Sequence, residues 1–221
     1  MSKTKFVSNW RTLLSDTTLR TEFIITLVLL VTTIYFFSRY LLYNELRPGE
    51  VIDDPLLKHF SAIDLNFLIF FAIYSSLLIG LVAFAFEPEQ LMMAFQTYCL
   101  IVFFRILAMY LVPLNPPEGC IDLQDPVVFL LGTGKKIVKD LFFSGHTATA
   151  FMLFQVAGNK FLKSYFLIAT VVVGISVLLQ KAHYTIDVLV GVIFSYASFQ
   201  IIKSLHKKFY NIEHSKNGYK N

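Results

Sequence analysis

"LNFLIFFAIYSSLLIGLVAFAF", residues 65–86, runs for 22 positions between Asp64 and Glu87 without a charged side chain. About 20 apolar residues, each rising about 1.5 Å in an α-helix, cross the hydrocarbon core of a bilayer. The stretch therefore reads as a transmembrane helix. The rest of the chain is built to match, with 56% hydrophobic residues, 15% charged and a mean hydropathy of +0.62. A soluble domain carries about 25% charged residues. Working outward, five more spans are expected at about 23–43, 91–113, 141–158, 164–180 and 184–203. The expected fold is all-α: a polytopic membrane protein with a bundle of six transmembrane helices over 23–203. An N-terminal segment (1–22) precedes it and a polar tail (204–221) follows. The first span has polar sequence before it and lacks a small-residue cleavage site, so it reads as a retained helix, not a signal peptide.

The net charge of +4 does not call for nucleic acid as a partner, because basic residues mark the cytoplasmic loops of membrane proteins. Eleven Lys and Arg fall in the N-terminus, the 159–163 loop and the tail. Seven fall on the other face: Arg39, Arg47, Lys58, Lys135, Lys136, Lys139 and Lys181. Both termini are thus expected in the cytoplasm. Short termini without a retention signal favour a bacterial inner membrane. Cys99 falls within a span and Cys120 in an outer loop, which argues against a disulfide between them. No Cys/His set or carboxylate cluster suggests a metal, and no P-loop or nucleotide fingerprint suggests a cofactor. Oligomeric state is not legible.

Run forward from a cytoplasmic N-terminus, this topology carries Arg105, the 114–140 loop, His146, His183 and Asp187 to the outer half of the membrane. Each has an ordinary explanation alone. Arg105 can snorkel, His146 can be a satisfied helix-start histidine, and His183 with Asp187 can be a structural pair. Ionisable groups inside a membrane are costly, and several gathered at one face point to one site.

The spacing permits phosphoryl chemistry. His183 and Asp187, four apart on a helix, lie within reach of each other. A carboxylate on one ring nitrogen fixes the tautomer and frees the other nitrogen as a nucleophile. Ser144 reads as the N-cap of the fourth span. Gly145 lets backbone approach a ligand, and first-turn N–H groups bind phosphate oxygens. His146 then stands beside any anion held there, ready to protonate a leaving alkoxide. Arg105 can add a bidentate phosphate contact.

Three stretches, "RILAMYLVPLNPP" (105–117), "KDLFFSGHTAT" (139–149) and "HYTIDV" (183–188), resemble the sphingomyelin synthase-like branch of the PAP2 (lipid phosphate phosphatase) superfamily. "DDPLLKHF" (53–60) echoes a proline-bearing motif of that family. The resemblance implies six helices and a His-His-Asp set on the luminal, periplasmic or exterior side. By it, His183 attacks phosphorus to form a phosphohistidine, Asp187 orients His183, and His146 is acid and then base. The partners would be a phospholipid donor and a lipid-alcohol acceptor such as ceramide; with water as acceptor the enzyme is a hydrolase. A transporter or non-catalytic scaffold is the alternative from another class. The sequence departs from the phosphatase pattern at Phe143 (proline in those enzymes), Ile106 (proline), Tyr98 (lysine) and Val177 (arginine). Ala197 stands where animal synthases have an arginine. With the phosphatases' phosphate-contacting arginine absent at Val177, Arg105, Lys139 and Lys181 are candidate substitutes. Asp140 with Tyr110 or Tyr184 is a candidate for holding a headgroup ammonium by charge and ring face.

Overall fold

The computed structural model describes residues 3–126, 134 and 136–218, with side chains described for 5–126, 134 and 136–206. Lys135, part of the charge tally above, lies outside the described residues. The chain is nearly all helical: α1 (Lys3–Ser15), α2 (Thr17–Glu45), α3 (Asn66–Ala85), α4 (Pro88–Leu111), α5 (Gly145–Val156), α6 (Lys160–Leu179) and α7 (Thr185–Gly218). A 3-10 turn spans Leu57–His59. Local signals set the helix starts. The Asp16 carboxylate accepts from the N–H groups of Thr18 and Leu19, Pro88 occupies the first turn of α4, and Asn159 accepts from Leu162 N.

Among the described residues, five helices are long and apolar enough to cross a membrane: α2, α3, α4, α6 and the Thr185–His206 part of α7. This is an all-α polytopic membrane fold. The fourth expected span differs. In place of 141–158, the helix covers 12 residues, or about 18 Å. The reason lies in its surroundings. α5 packs against α3, α4, α6 and α7, and most of its side chains are buried. A helix enclosed by protein need not match the bilayer thickness. Residues 139–144 descend to it without helical structure, which is tolerated at depth only where protein covers the backbone; Leu141, Phe143 and Ser144 are buried. α2 is the opposite case, with only 6% of its most apolar window buried, so lipid covers most of it. α7 continues as helix beyond residue 203, into the expected polar tail.

One end of the bundle is closed by α1. Trp10 Nε1 donates to Ala85 O at 2.8 Å, Asn9 Nδ2 to Phe86 O at 2.8 Å, and Lys5 pairs with Glu87. At the same end Gln96 Nε2 donates to Glu22 and Thr26, and His206 Nε2 meets Gln96 Oε1 at 2.7 Å. The other end is built from loops stitched together. Glu50 N donates to Pro113 O at 3.1 Å and Asn115 N to Glu50 O at 2.8 Å. A Cβ on Gly49 would stand 2.6 Å from the Leu114 carbonyl carbon, so this crossing admits only glycine. The buried Gln180 side chain accepts from Leu65 N at 2.8 Å and donates to Ile121 O at 3.1 Å. It thereby ties the end of α6 to the start of α3 and to the loop after Pro117.

Candidate active site

The looped end holds the groups singled out above. α7 begins at Thr185, so His183 lies on the turn before the helix and not in it, which corrects the expected placement of both residues on one helix. The pairing survives because the turn folds back over the helix start. Asp187 Oδ2 faces His183 Nδ1 at 3.2 Å and accepts from Tyr184 N, also at 3.2 Å. Both side chains are essentially sealed, with exposures of 2% and 0%. Among the described residues, Asp187 Oδ1 has no hydrogen-bond partner. A buried carboxylate is costly unless compensated, so the imidazole and the Tyr184 N–H are what keep it in place.

The HYT turn is held from a distance. Asp54 Oδ2 accepts from Thr185 N at 2.7 Å and Asp54 Oδ1 from the Thr185 hydroxyl at 3.1 Å. Burial would raise the Asp54 carboxyl, but the bonds from Thr185, Leu56 and Leu57 outweigh it and hold it below its ordinary value. This gives the "DDPLLKHF" stretch a physical task, which is to clamp the start of α7. The Tyr184 hydroxyl donates to Asn115 O at 2.9 Å and accepts from Ile52 N at 3.2 Å.

α5 enters between α4 and α7. Ser144 N donates to Asp187 O at 3.1 Å, joining the two phrases directly. Ser144 stands at the N-cap, but its hydroxyl caps none of the α5 N–H groups; it pairs with Thr147 Oγ1 at 3.0 Å. Gly191 on α7 makes room, since a Cβ there would come within 2.9 Å of Ser144 O. Phe143, at the phosphatases' proline position, is fully buried and stacks on Phe194 of α7 with centroids 5.1 Å apart.

Arg105 is buried. Its guanidinium lies 4.9 Å over the Phe37 ring, donates from Nε to Phe143 O at 3.2 Å and pairs through Nη2 with Asp140. A Cβ on Gly145 would stand 2.3 Å from Nη1. The glycine of the SGH phrase is thus what lets the guanidinium lie against the start of α5.

A cavity of about 40 Å³ opens here, lined among others by Cys120, Asp125, Asp140, His146, Ala182 and His183. It brings both histidines to one space. Lys139 is turned away, its amine donating to Arg47 O at 2.7 Å. Lys181, at φ 53°, places its amine over Phe60 and lines a separate outer cavity of about 560 Å³ with Asp53, Asp54 and Glu118. Tyr110 is exposed and carries Arg47 over its ring. Tyr184 is buried with both sides of its hydroxyl engaged. Among the three headgroup candidates, Asp140 lines the histidine cavity.

Sequence reasoning missed Asp125. Its Oδ2 meets His146 Nε2 at 3.1 Å, and its Oδ1 accepts from the Tyr74 hydroxyl. Phe70 meets the His146 ring edge-on at 5.8 Å. The loop that carries Asp125 is pinned by Gln180 and by Asn66 Oδ1, which accepts from Gln124 N at 3.2 Å. Nothing in "DLQDP" (122–126) sets Asp125 apart from its acidic neighbours.

Among the described residues, no group of three or more His, Cys, Asp or Glu is arranged to hold a metal ion. No curated protein matches the chain. Residues 139–205, from just before the SGH phrase into α7, match the family described as PAP2 superfamily C-terminal, which supports the PAP2 superfamily and lipid phosphatase- or phosphotransferase-type chemistry.

Proposed function

We propose that the chain is a membrane lipid phosphotransferase. It moves a phospho-headgroup, phosphocholine or phosphoethanolamine, from a glycerophospholipid to a lipid alcohol such as ceramide. The observation that carries this reading is the shared cavity: His146 and the Asp187-paired His183 line one space at one end of a membrane bundle. That end is the non-cytoplasmic one in this reading, with both termini in the cytoplasm, residues 23–203 as the catalytic unit and the polar ends outside it.

With Nδ1–H of His183 donated to Asp187, the lone pair on Nε2 is free to attack phosphorus. An N–P bond forms and the P–O bond to diacylglycerol breaks. His146, oriented by Asp125, gives its proton to the departing oxygen. In the second half His146 takes the proton of the acceptor hydroxyl, the new P–O bond forms and the N–P bond breaks. His183 is regenerated, and atoms and charge balance. The α5 N-terminus offers N–H groups to the phosphoryl oxygens, and Arg105 supports that turn while carrying positive charge beside it. Ser144 and Gly145 set the turn. Lys139 and Lys181 serve as outlying positive charge, and Asp140 faces the headgroup.

The Val177 side chain favours transfer over the phosphatase pattern. It is fully buried in an apolar cluster with Ile69, Ile73, Ala150 and Val173, so the position of the phosphatases' arginine offers no cation to phosphate. The test uses purified protein in phosphatidylcholine vesicles with and without ceramide, with products followed by mass. Acceptor-dependent formation of a phosphosphingolipid is expected. Headgroup release indifferent to ceramide makes the protein a hydrolase. His183→Ala is expected to abolish turnover together with an acid-labile phosphoprotein label; unchanged lipid turnover in that variant would mean a scaffold or transporter.

A further inference from the structure

We infer that the apolar cavity framed by α2, α3, α4 and α5 receives the distal part of an acyl chain of the lipid substrate, and so sets chain-length preference. The inference rests on the phosphotransferase reading and names a second site for the same substrate, apart from the histidine cavity. The space measures about 270 Å³ and its walls are almost wholly apolar, including Ile34 of α2, Leu77 and Leu81 of α3, Ala94 and Tyr98 of α4, and Met152 of α5.

Three observations commit it to an acyl chain. First, it lies within membrane-crossing helices, and its rim faces lipid. Ile34, Leu77 and Leu81 are 48%, 36% and 51% exposed, whereas Ala94 and Met152 at its floor are 5% and 3% exposed. α2 packs mainly on α4, not along α3, which leaves a lateral opening to the bilayer between α2 and α3. Second, packed side chains link the cavity wall to the candidate site. Tyr98 packs both against the cluster holding Leu91, Ala94, Met152 and Phe143 and against the cluster of Phe37 and Val102. Phe37 in turn lies beneath the Arg105 guanidinium. Third, the depth is right. Tyr98 is seven residues before Arg105 on α4, about 10 Å along the helix axis, and Leu91 is a further ~10 Å on. A chain whose phosphate sits at the histidines hangs past Arg105 and reaches this space with its later carbons.

The physics also sets the kind of effect. A chain leaving the bilayer for this cavity gains no hydrophobic free energy, because lipid is already apolar; only packing changes. The cavity therefore discriminates by shape among chain lengths and does not provide bulk affinity.

The test uses full-length protein in vesicles and two readouts. The first is photolabelling by a phosphatidylcholine whose palmitoyl chain ends in a diazirine. The second is kcat/KM for dipalmitoyl against dihexanoyl phosphatidylcholine. Wild type is expected to be labelled within residues 91–98. Ala94→Phe fills the floor and is expected to lower that label and the long-chain kcat/KM about tenfold, with the short-chain value held within twofold. Leu77→Trp narrows the rim from a lipid-exposed position without touching the core, and is expected to act in the same direction; it decides alone if Ala94→Phe does not fold. Equal losses for long and short chains, or label spread over the outer faces of α2 and α3 and indifferent to both substitutions, would overturn the inference. Turnover without label at 91–98 removes the cavity and leaves the phosphotransferase. Label at 91–98 without turnover of any phospholipid removes the phosphotransferase and leaves the cavity.

Discussion

The two histidines are each held by a carboxylate, but by different means. His183 and Asp187 are four residues apart, joined across one helix start and sealed at 2% and 0% exposure. His146 and Asp125 are 21 residues apart, joined across a loop, with 16% and 15% of their side chains exposed. The first pair is local and dry, the second assembled and partly open. The difference suits the tasks assigned to them. A nucleophile needs a fixed tautomer and a preorganised partner. An acid that becomes a base must meet a leaving oxygen and then an incoming hydroxyl, and so needs a site that substrates can reach.

The largest effect should come from breaking the sealed pair. Asp187→Asn keeps the shape but removes the carboxylate that dictates which His183 nitrogen carries the proton. Turnover is expected to fall on the order of 10³-fold in the vesicle assay. Because Asp187 is buried and its backbone carbonyl receives Ser144 N, thermal unfolding separates chemistry from folding: the Asn variant should unfold close to wild type. A loss below tenfold would mean that the sealed pair is structural.

His146→Ala follows, with a fall of roughly 10²-fold or more for a natural diacylglycerol leaving group. The deficit should shrink sharply for a substrate whose leaving group departs without a proton, such as a nitrophenol. Asp125→Asn should cost less, about tenfold in kcat with KM unchanged, and should show the same dependence on leaving group. The double variant should be no worse than His146→Ala, since a positioning residue has nothing left to position. Additive losses would place Asp125 outside the His146 pathway and undo the parallel between the pairs.

The same contrast explains what could be read in advance. Hydropathy showed the long helices because lipid exposure writes an unbroken apolar run, as in residues 65–86. It overestimated α5 because a helix walled in by protein is as apolar as one in lipid, and the run 141–158 does not reveal that its first residues are irregular backbone held by Arg105 and Asp187. The His183–Asp187 contact was legible because a spacing of four is a local rule that survives even when the first residue lies before the helix. Asp125 and Tyr74 were not legible, because their meeting with His146 depends on how a loop closes over the bundle, and no periodicity records that. The sequence singled out Arg105 as a candidate phosphate contact. Its contacts with Asp140 and Gly145 were hidden, as was the engagement of Lys139 by Arg47.

The smallest and most direct measurement probes whether the Asp125 loop stays closed. Cys120 lies in that loop and lines the histidine cavity. Burial, and then the charge of Asp122, pushes its thiol up to about 11. The thiolate is the reactive form, so at pH 8 nearly all of the group is inert, and its alkylation rate should rise about tenfold per pH unit until the pH approaches 11. An open loop would return the thiol to water and toward its ordinary value, giving rapid labelling at pH 8 and a plateau near pH 9. The experiment runs in a Cys99→Ser background, which removes the buried thiol of α4. Slow alkylation that accelerates in Asp125→Asn would show that the carboxylate on His146 also holds the loop down, tying the open pair to the cover above it. Alkylation at pH 8 as fast as that of a free thiol would mean that the loop does not rest on the cavity, and that the second pair forms only when substrate is bound.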